Sequence, residues 1–198
     1  MTQAPLFFSI IIPTYNRPKQ LVSALQFLAD LDYLRTCYEV VVVDDGGSTD
    51  LSEVIKTFGS QIDLTLYQQN NAGPASARNA GAKAAKGDFL VFLDDDCMPE
   101  RGWLKALRQQ LSKTPNALVG GYTTNGLRQN IYAIASQLLI DYIYAYYNAP
   151  TTDARQTRFF TSNNLAVMAD GFRKFGGFDT SFPLAAGEDR EFCDRWLQ

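Results

Sequence analysis

Phe89-Leu90-Val91-Phe92-Leu93-Asp94-Asp95-Asp96 sets an unbroken apolar run directly before three carboxylates. A short run of this kind, closed by polar residues, is the pattern of a strand buried on both faces. Asp88 to Leu93 is therefore expected to be such a strand, ending at a polar rim. Three earlier segments repeat the arrangement. Phe7 to Tyr15 is a β-branched run that breaks at a proline, Tyr38 to Asp45 carries four consecutive valines before Asp-Asp-Gly-Gly, and Asp63 to Gln68 alternates more weakly. Helical periods lie between them. Leu21, Leu25, Leu28 and Ala29 form one stripe, Asp50 with Glu53 three residues on reads as a capping box, and the Ala-rich stretch Ala75 to Lys86 is followed by Gly87, as at a helix C-terminus. Four alternations of strand and helix predict an α/β fold with a mostly parallel central sheet and helices on both faces.

Beyond residue 100 the rhythm changes. Arg101 to Lys113 reads as a helix and Ala117 to Tyr122 as a strand, after which Leu127, Ile131, Ile134, Leu138, Tyr142 and Tyr146 recur at helical spacing. Asn130, Gln137 and Asp141 make this last helix a poor membrane span. Packing into the core is the simpler expectation for it; the alternative is a surface resting on a membrane or a partner.

At 198 residues and 46% hydrophobic content, a single domain is expected. Lys plus Arg number 18 against 21 Asp plus Glu, so the basic excess that a nucleic-acid binder uses is missing. No N-terminal basic region precedes an apolar run, and no long uncharged stretch occurs, which predicts a soluble, cytoplasmic chain, working at the inner face of a membrane if the aromatic helix rests on one. Cys37, Cys97 and Cys193 form no CxxC pair, and the chain contains no His, so the thiols are expected to be reduced and any metal to be held by oxygen.

In an open parallel sheet the ligand sits beyond the carboxyl ends of the strands. The polar clusters of the first half all fall there: Pro13-Thr14-Tyr15-Asn16, Asp44-Asp45-Gly46-Gly47, Gln69-Asn70-Asn71-Ala72-Gly73 and Asp94-Asp95-Asp96. Three adjacent carboxylates repel one another unless solvent or a cation offsets the charge. A hard divalent ion, Mg²⁺ or Mn²⁺, would do so and would complete its shell with substrate phosphate; the other reading is a solvated acidic turn. Arg78 follows the Asn-Asn-Ala-Gly-Pro loop, from which a guanidinium can reach a phosphate, or it is a surface cation paired with a carboxylate. Glu188 and Asp189, after Gly187, offer a carboxylate base, or they are first-turn acids favoured by the helix dipole. The absence of GxxxxGK[ST], GxGxxG, GxSxG and His removes P-loop, dinucleotide and Ser-His hydrolase readings.

Taken together, Ser9-Ile10-Ile11-Ile12-Pro13-Thr14-Tyr15-Asn16-Arg17, Val43 to Asp50, Ala77-Arg78-Asn79, Phe92 to Asp96, Gly176-Gly177-Phe178-Asp179 and Gly187-Glu188-Asp189 resemble, in order, the landmarks of the family 2 glycosyltransferases, which have the GT-A fold. The resemblance implies an inverting transfer of a sugar from a nucleotide-diphosphate donor, UDP by family habit, to a saccharide or lipid-linked hydroxyl. It implies that Pro13, Tyr15 and Asn16 line the base pocket, with Asp44 or Asp45 hydrogen-bonding the base and Arg78 near the base or diphosphate. Asp94, Asp95 and Asp96 correspond to the DxD region, Asp94 and Asp96 being its ends, which bind the ribose and the metal-diphosphate. Asp189, beside Glu188, corresponds to the general base, while Ser162 to Asn164 and Gly176 to Asp179 shape the acceptor side. Residues 1–100 would then be a nucleotide-binding half and residues 101–198 an acceptor-side half. Family members usually continue past this point, so a C-terminally truncated chain is expected. The competing readings are a sugar-phosphate nucleotidyltransferase, whose glycine-rich basic opening is missing at Pro13 to Arg17, and a nucleotide-sugar-binding domain without turnover.

Overall fold

The computed structural model describes residues 5–148, 159–182 and 187–197. Six strands, β1 (Phe8–Thr14), β2 (Tyr38–Asp44), β3 (Leu64–Gln68), β4 (Phe89–Leu93), β5 (Val119–Gly120) and β6 (Asn164–Met168), form one sheet in the order β3-β2-β1-β4-β6-β5. β1 pairs in parallel with both β2 and β4, and β2 with β3, while β6 runs antiparallel to β4 and β5. The chain thus travels outward from β1 to β3 and then opens the other flank with β4. The sheet is mostly parallel, as expected.

The helices are α1 (Pro18–Ala29), α2 (Ser52–Gly59), α3 (Pro74–Ala84), α4 (Trp103–Leu111), α5 (Ile131–Tyr147), α6 (Ala169–Lys174) and α7 (Glu188–Trp196). Alternating strand residues divide the core between two faces. Ile10, Ile12, Val40, Val42 and Val91 pack with Leu21, Leu25, Phe58 and Leu104 of α1, α2 and α4. Ile11, Val41, Val43, Leu90 and Phe92 pack with Ala77, Phe172 and Phe192 of α3, α6 and α7. Helices cover both faces.

α3 lies close to the sheet because Gly81 faces it. A methyl group there would sit 2.5 Å from Ile11 Cγ2 and 3.1 Å from Val43 Cγ2. Overpacking costs about 1–3 kcal/mol, whereas alanine gains about 1 kcal/mol over glycine inside a helix. Gly81→Ala is therefore expected to lower stability by up to about 2 kcal/mol, read as a lower urea midpoint at unchanged slope. A midpoint at or above the parent's would show that the helix can lift without loss.

Several local expectations are corrected. Asp50 does not close a capping box: Leu51 holds the N-cap position, and the Asp50 carboxylate accepts from Ser52 N–H and Oγ–H at 2.9 and 2.6 Å, one residue before Glu53. The strand expected over Ala117 to Tyr122 shrinks to Val119–Gly120, where the Phe160 side chain lies over Gly120 and leaves no room for a Cβ. β6 has no counterpart in the sequence reading, because its three buried residues, Leu165 to Val167, are too few to show a period.

The largest correction concerns the aromatic helix. α5 buries no residue in the core, and Ile131, Tyr132, Leu138, Leu139, Tyr142 and Tyr146 are 60–84% exposed. Its fixed side is polar. Asn130 caps it through Tyr132 N–H and Ala133 N–H, Gln137 donates to Asp141 and to the Thr123 carbonyl, and Tyr144 Oη is 2.9 Å from Thr161 Oγ1. Periodic apolar residues reported a face and not what covers it. No described helix is long and apolar enough to cross a membrane.

Candidate active site

Because β2 and β4 leave β1 on opposite sides, the carboxyl ends of β1 and β4 border the crevice where strand order reverses. The loops around it are built by their own side chains. Asn16 takes a left-handed backbone (φ 55°), tolerable for asparagine, and its Oδ1 accepts from Ser48 N–H at 2.7 Å, tying the loop after β1 to the loop after β2. Asp44 Oδ1 accepts from Gly47 N–H at 2.9 Å, closing its own turn. Asp45 holds the loop after β3: its carboxylate accepts from Ala72 N–H, Gly73 N–H and Gln69 Nε2 at 2.9, 2.8 and 2.7 Å. Both aspartates are buried.

The aspartate run is divided among different partners. Asp94 Oδ1 meets Arg78 Nη2 at 2.7 Å. Asp95, only 3% exposed, accepts from Thr14 Oγ1 at 2.7 Å through one oxygen and meets Arg17 Nη1 at 3.0 Å through the other. Asp96, half exposed, meets Arg17 Nη2 at 2.5 Å. Burial raises the Asp95 carboxyl above its ordinary range, against the opposing effects of Thr14 and Arg17. Burial and the neighbouring aspartates push the Cys97 thiol up to about 12.

Arg78 is not a surface cation. It is 4% exposed and bridges Asp94 to Glu188, its Nη1 lying 3.2 Å from Glu188 Oε1. Among the described residues, Arg78 Nε and Glu188 Oε2 are buried without a hydrogen-bond partner. The next residue, Asn79, fixes the far end of the chain: its amide donates to Phe178 O at 2.8 Å and accepts from Phe178 N–H at 2.9 Å. Gly177 beside it has φ 74°, and a Cβ there would fall 2.5 Å from Asn79 Oδ1. Gly176 to Asp179 thus dock on α3.

That docking carries α7 to the cleft. Phe192 packs between Phe172 and Phe178, with ring centroids 5.2 and 5.0 Å away, and Arg190 stacks on Tyr147 at 4.1 Å. The first turn of α7 then faces the strand ends. Asp189 accepts from Arg190 N–H at 2.8 Å and weakly from Ser162 N–H at 3.4 Å. Burial raises its carboxyl above the ordinary range, partly offset by those N–H groups and by the charge of Arg78.

The result is a cleft of about 450 Å³ whose walls include Pro13, Tyr15, Asp45, Arg78, Asp94, Asp95, Glu188 and Asp189. Asn16 and Asp44 stand behind it as loop supports, and Asp96 borders a second cavity of about 640 Å³ with Trp103, Tyr122 and Asn164. Asn163 lies on the wall shared by both cavities, and Ser162 lines the first. Arg17 and Thr14, which the sequence reading gave no role, also line the cleft; the signal that could have found them is that each directly follows a residue given one, Asn16 and Pro13. Asp94 and Asp96 keep side chains 35% and 50% exposed, with one oxygen each on an arginine. No group of three metal-ligating side chains comes together among the described residues. This donor set fits Mg²⁺ or Mn²⁺ shared with a phosphorylated ligand, since Mg²⁺ commonly takes one or two carboxylates and fills its shell with water and phosphate.

The α/β sheet thus carries an acidic, arginine-lined crevice at its switch point, and comparison with known proteins gives the family. Residues 9–176 match Glycosyl transferase family 2, and the chain belongs to that family. It is 35% identical over 123 residues to the glycosyltransferase AglE of Haloferax volcanii, and 28% identical over 214 residues to the chondroitin synthase of Escherichia coli. These matches cover 61% and 93% of the chain and 40% and 31% of the relatives, so the chain spans well under half of their length. A crystal structure of Staphylococcus aureus TarS superposes with a TM-score of 0.72 at 22% identity, over 97% of this chain and 55% of the other. The Pyrobaculum calidifontis mannosyltransferase PcManGT, solved with GDP-Man and Mn²⁺, gives 0.73 at 22% identity over 96% and 51%. The fold is GT-A.

Proposed function

We propose that this chain is the catalytic domain of an inverting glycosyltransferase that moves a sugar from a nucleoside-diphosphate donor to a hydroxyl acceptor. The observation that carries it is the meeting, across one cleft, of the strand-end residues Pro13, Tyr15 and Asp94 with the α7 carboxylates Glu188 and Asp189. UDP-GlcNAc and GDP-Man, with which TarS and PcManGT were solved, are of the donor class that such a cleft would take.

In this reading the base lies against Pro13 and Tyr15, at the loop that Asp45 holds, with UDP the expected nucleotide. Arg78, which lines the cleft, would offer its guanidinium to the diphosphate. Asp94 and Asp96 would hold a divalent cation, whose charge stabilises the departing diphosphate when it is bound. The acceptor hydroxyl enters from the Asn163 side, where Trp103 and Tyr122 give the second cavity aromatic surface and Asn163 and Asn164 give it polar groups suited to a saccharide. Asp189 takes the hydroxyl proton as the oxygen bonds to the anomeric carbon, while the carbon–oxygen bond to the diphosphate breaks on the opposite side and its electron pair leaves with the nucleotide. One base and one displacement give inversion.

Nucleoside diphosphate binding is expected to require Mn²⁺ or Mg²⁺, because the anion otherwise enters an acidic wall. In calorimetry, chelator or Asp96→Ala should weaken it by roughly tenfold or more, equivalent to about 1.4 kcal/mol. Equal affinity with and without the ion would refute the cation assignment.

A further inference from the structure

We propose that Arg17 is the resting counter-ion of Asp96, which a divalent cation entering with a diphosphate displaces. The inference rests on the donor-site reading of the cleft. Arg17 stands at the N-cap of α1 and spreads its guanidinium over two carboxylates that are bound very differently. Asp95 is buried, with one oxygen 2.7 Å from Thr14 Oγ1 and the other 3.0 Å from Arg17 Nη1, so both oxygens are engaged by the protein. Asp96 is half exposed, and apart from Arg17 its partner among the described residues is the Cys97 thiol at 4.0 Å. One arginine therefore holds one carboxylate in the interior and another at the surface, where it can be exchanged.

The surrounding charges favour that exchange. The cleft presents the carboxylates of Asp45, Asp94, Asp95, Glu188 and Asp189 against the guanidiniums of Arg17 and Arg78. Arg78 is buried between Asp94 and Glu188, whereas the Arg17 side chain is 43% exposed and has room to turn. A divalent ion on Asp96 would lie within a few ångströms of Arg17 Nη2, where like charges repel strongly. The guanidinium can keep Asp95 and release Asp96, and its freed N–H groups then have a natural partner in a diphosphate bound beside them. Metal and diphosphate should accordingly bind together, each weakly without the other. Arg17 is a positioning residue in this scheme, suppressing metal uptake until the donor arrives.

The test is a titration of the protein with Mn²⁺ alone, free Mn²⁺ being read by electron paramagnetic resonance. Arg17→Gln should bind Mn²⁺ roughly tenfold or more tightly than the parent, because a competing unit charge is gone. Arg17→Lys, which keeps the charge, should stay close to the parent, and adding Asp96→Asn to Arg17→Gln should abolish the gain. Should Arg17→Gln fail to fold with Asp95 stranded, Arg17→Gln/Asp95→Asn removes the buried charge and leaves Asp96 to be titrated. Equal or weaker Mn²⁺ binding after loss of Arg17, no detectable binding to any of these proteins, or a gain that survives loss of Asp96 would each overturn the proposal. Nucleoside diphosphate binding by the parent with Mn²⁺, measured alongside, tests the cleft reading itself: its absence sinks that reading, while its presence with an unchanged Mn²⁺ affinity in Arg17→Gln sinks only the role of Arg17.

Discussion

Replacing Asp189 by asparagine is expected to reduce sugar transfer by about 10²- to 10⁴-fold, the usual contribution of a positioned general base, while donor affinity stays at the parental value. A sugar hydroxyl is a poor nucleophile at neutral pH, and the amide keeps the size of the carboxylate but cannot accept the proton. The geometry favours Asp189 over its neighbour. Glu188 is committed to Arg78 inside the protein, whereas Asp189 lines the cleft and, among the described residues, accepts from the N–H groups of Ser162 and Arg190. Burial raises its carboxyl, so the acid limb of the rate profile should lie above the ordinary carboxylate range. The same shift has a stability consequence of definite sign. A carboxyl whose pKa is higher folded than unfolded favours the native state while protonated, and that contribution is lost as pH rises from the unfolded toward the folded value. The asparagine variant should therefore be no less stable than the parent at neutral pH. If Asp189 is only a first-turn acid, the outcome reverses: stability falls by around 1 kcal/mol or less and turnover hardly moves. Parental turnover with unchanged donor binding would remove Asp189 as the base.

What could be read from the chain and what could not follow the range of the interactions involved. The strands β1, β2 and β4 were legible because burial on both faces demands continuous apolar residues, and the strand-end position of Asp94 to Asp96 followed from where those runs stop. Sequence could also show that Arg78 opens a helix near the crevice, but not that α7, 110 positions later, returns a buried glutamate to it. That arrangement depends on Asn79 gripping Phe178, a contact across 99 positions. Asp44 and Asp45 illustrate a different limit. A carboxylate at a strand end looks the same whether it faces a ligand or its own loop, and here Asp45 accepts from two loop N–H groups and a glutamine. The exposed side of α5 shows a third limit, since a helical apolar period is unchanged whether the protein's own core covers that face or something else does.

Arg78→Ala is expected to destabilise the domain by about 3–5 kcal/mol, the range for breaking a buried ion pair from one side. Reading Arg78 as a ligand-facing residue alone would have predicted a loss of donor affinity with the fold intact. Its burial changes that order of effects. Removing the guanidinium strands Glu188, which is 4% exposed and already has one oxygen unpartnered among the described residues, and it takes from Asp94 the cation that offsets its neighbours. The space left behind lies under the first turn of α7, so that helix should loosen before the sheet does. Three measurements separate these consequences. Urea melts at neutral pH should show the full loss. Arg78→Lys should lie between parent and alanine, because an ammonium supplies charge but cannot span Asp94 and Glu188 with a planar fork. Arg78→Met/Glu188→Leu, which replaces the buried pair by apolar groups of similar size, should recover most of the stability while donor binding stays weak, by about 1.5–3 kcal/mol for a lost charge-assisted hydrogen bond. Recovery of donor affinity together with stability in that double variant would show that Arg78 supports the cleft without touching the donor.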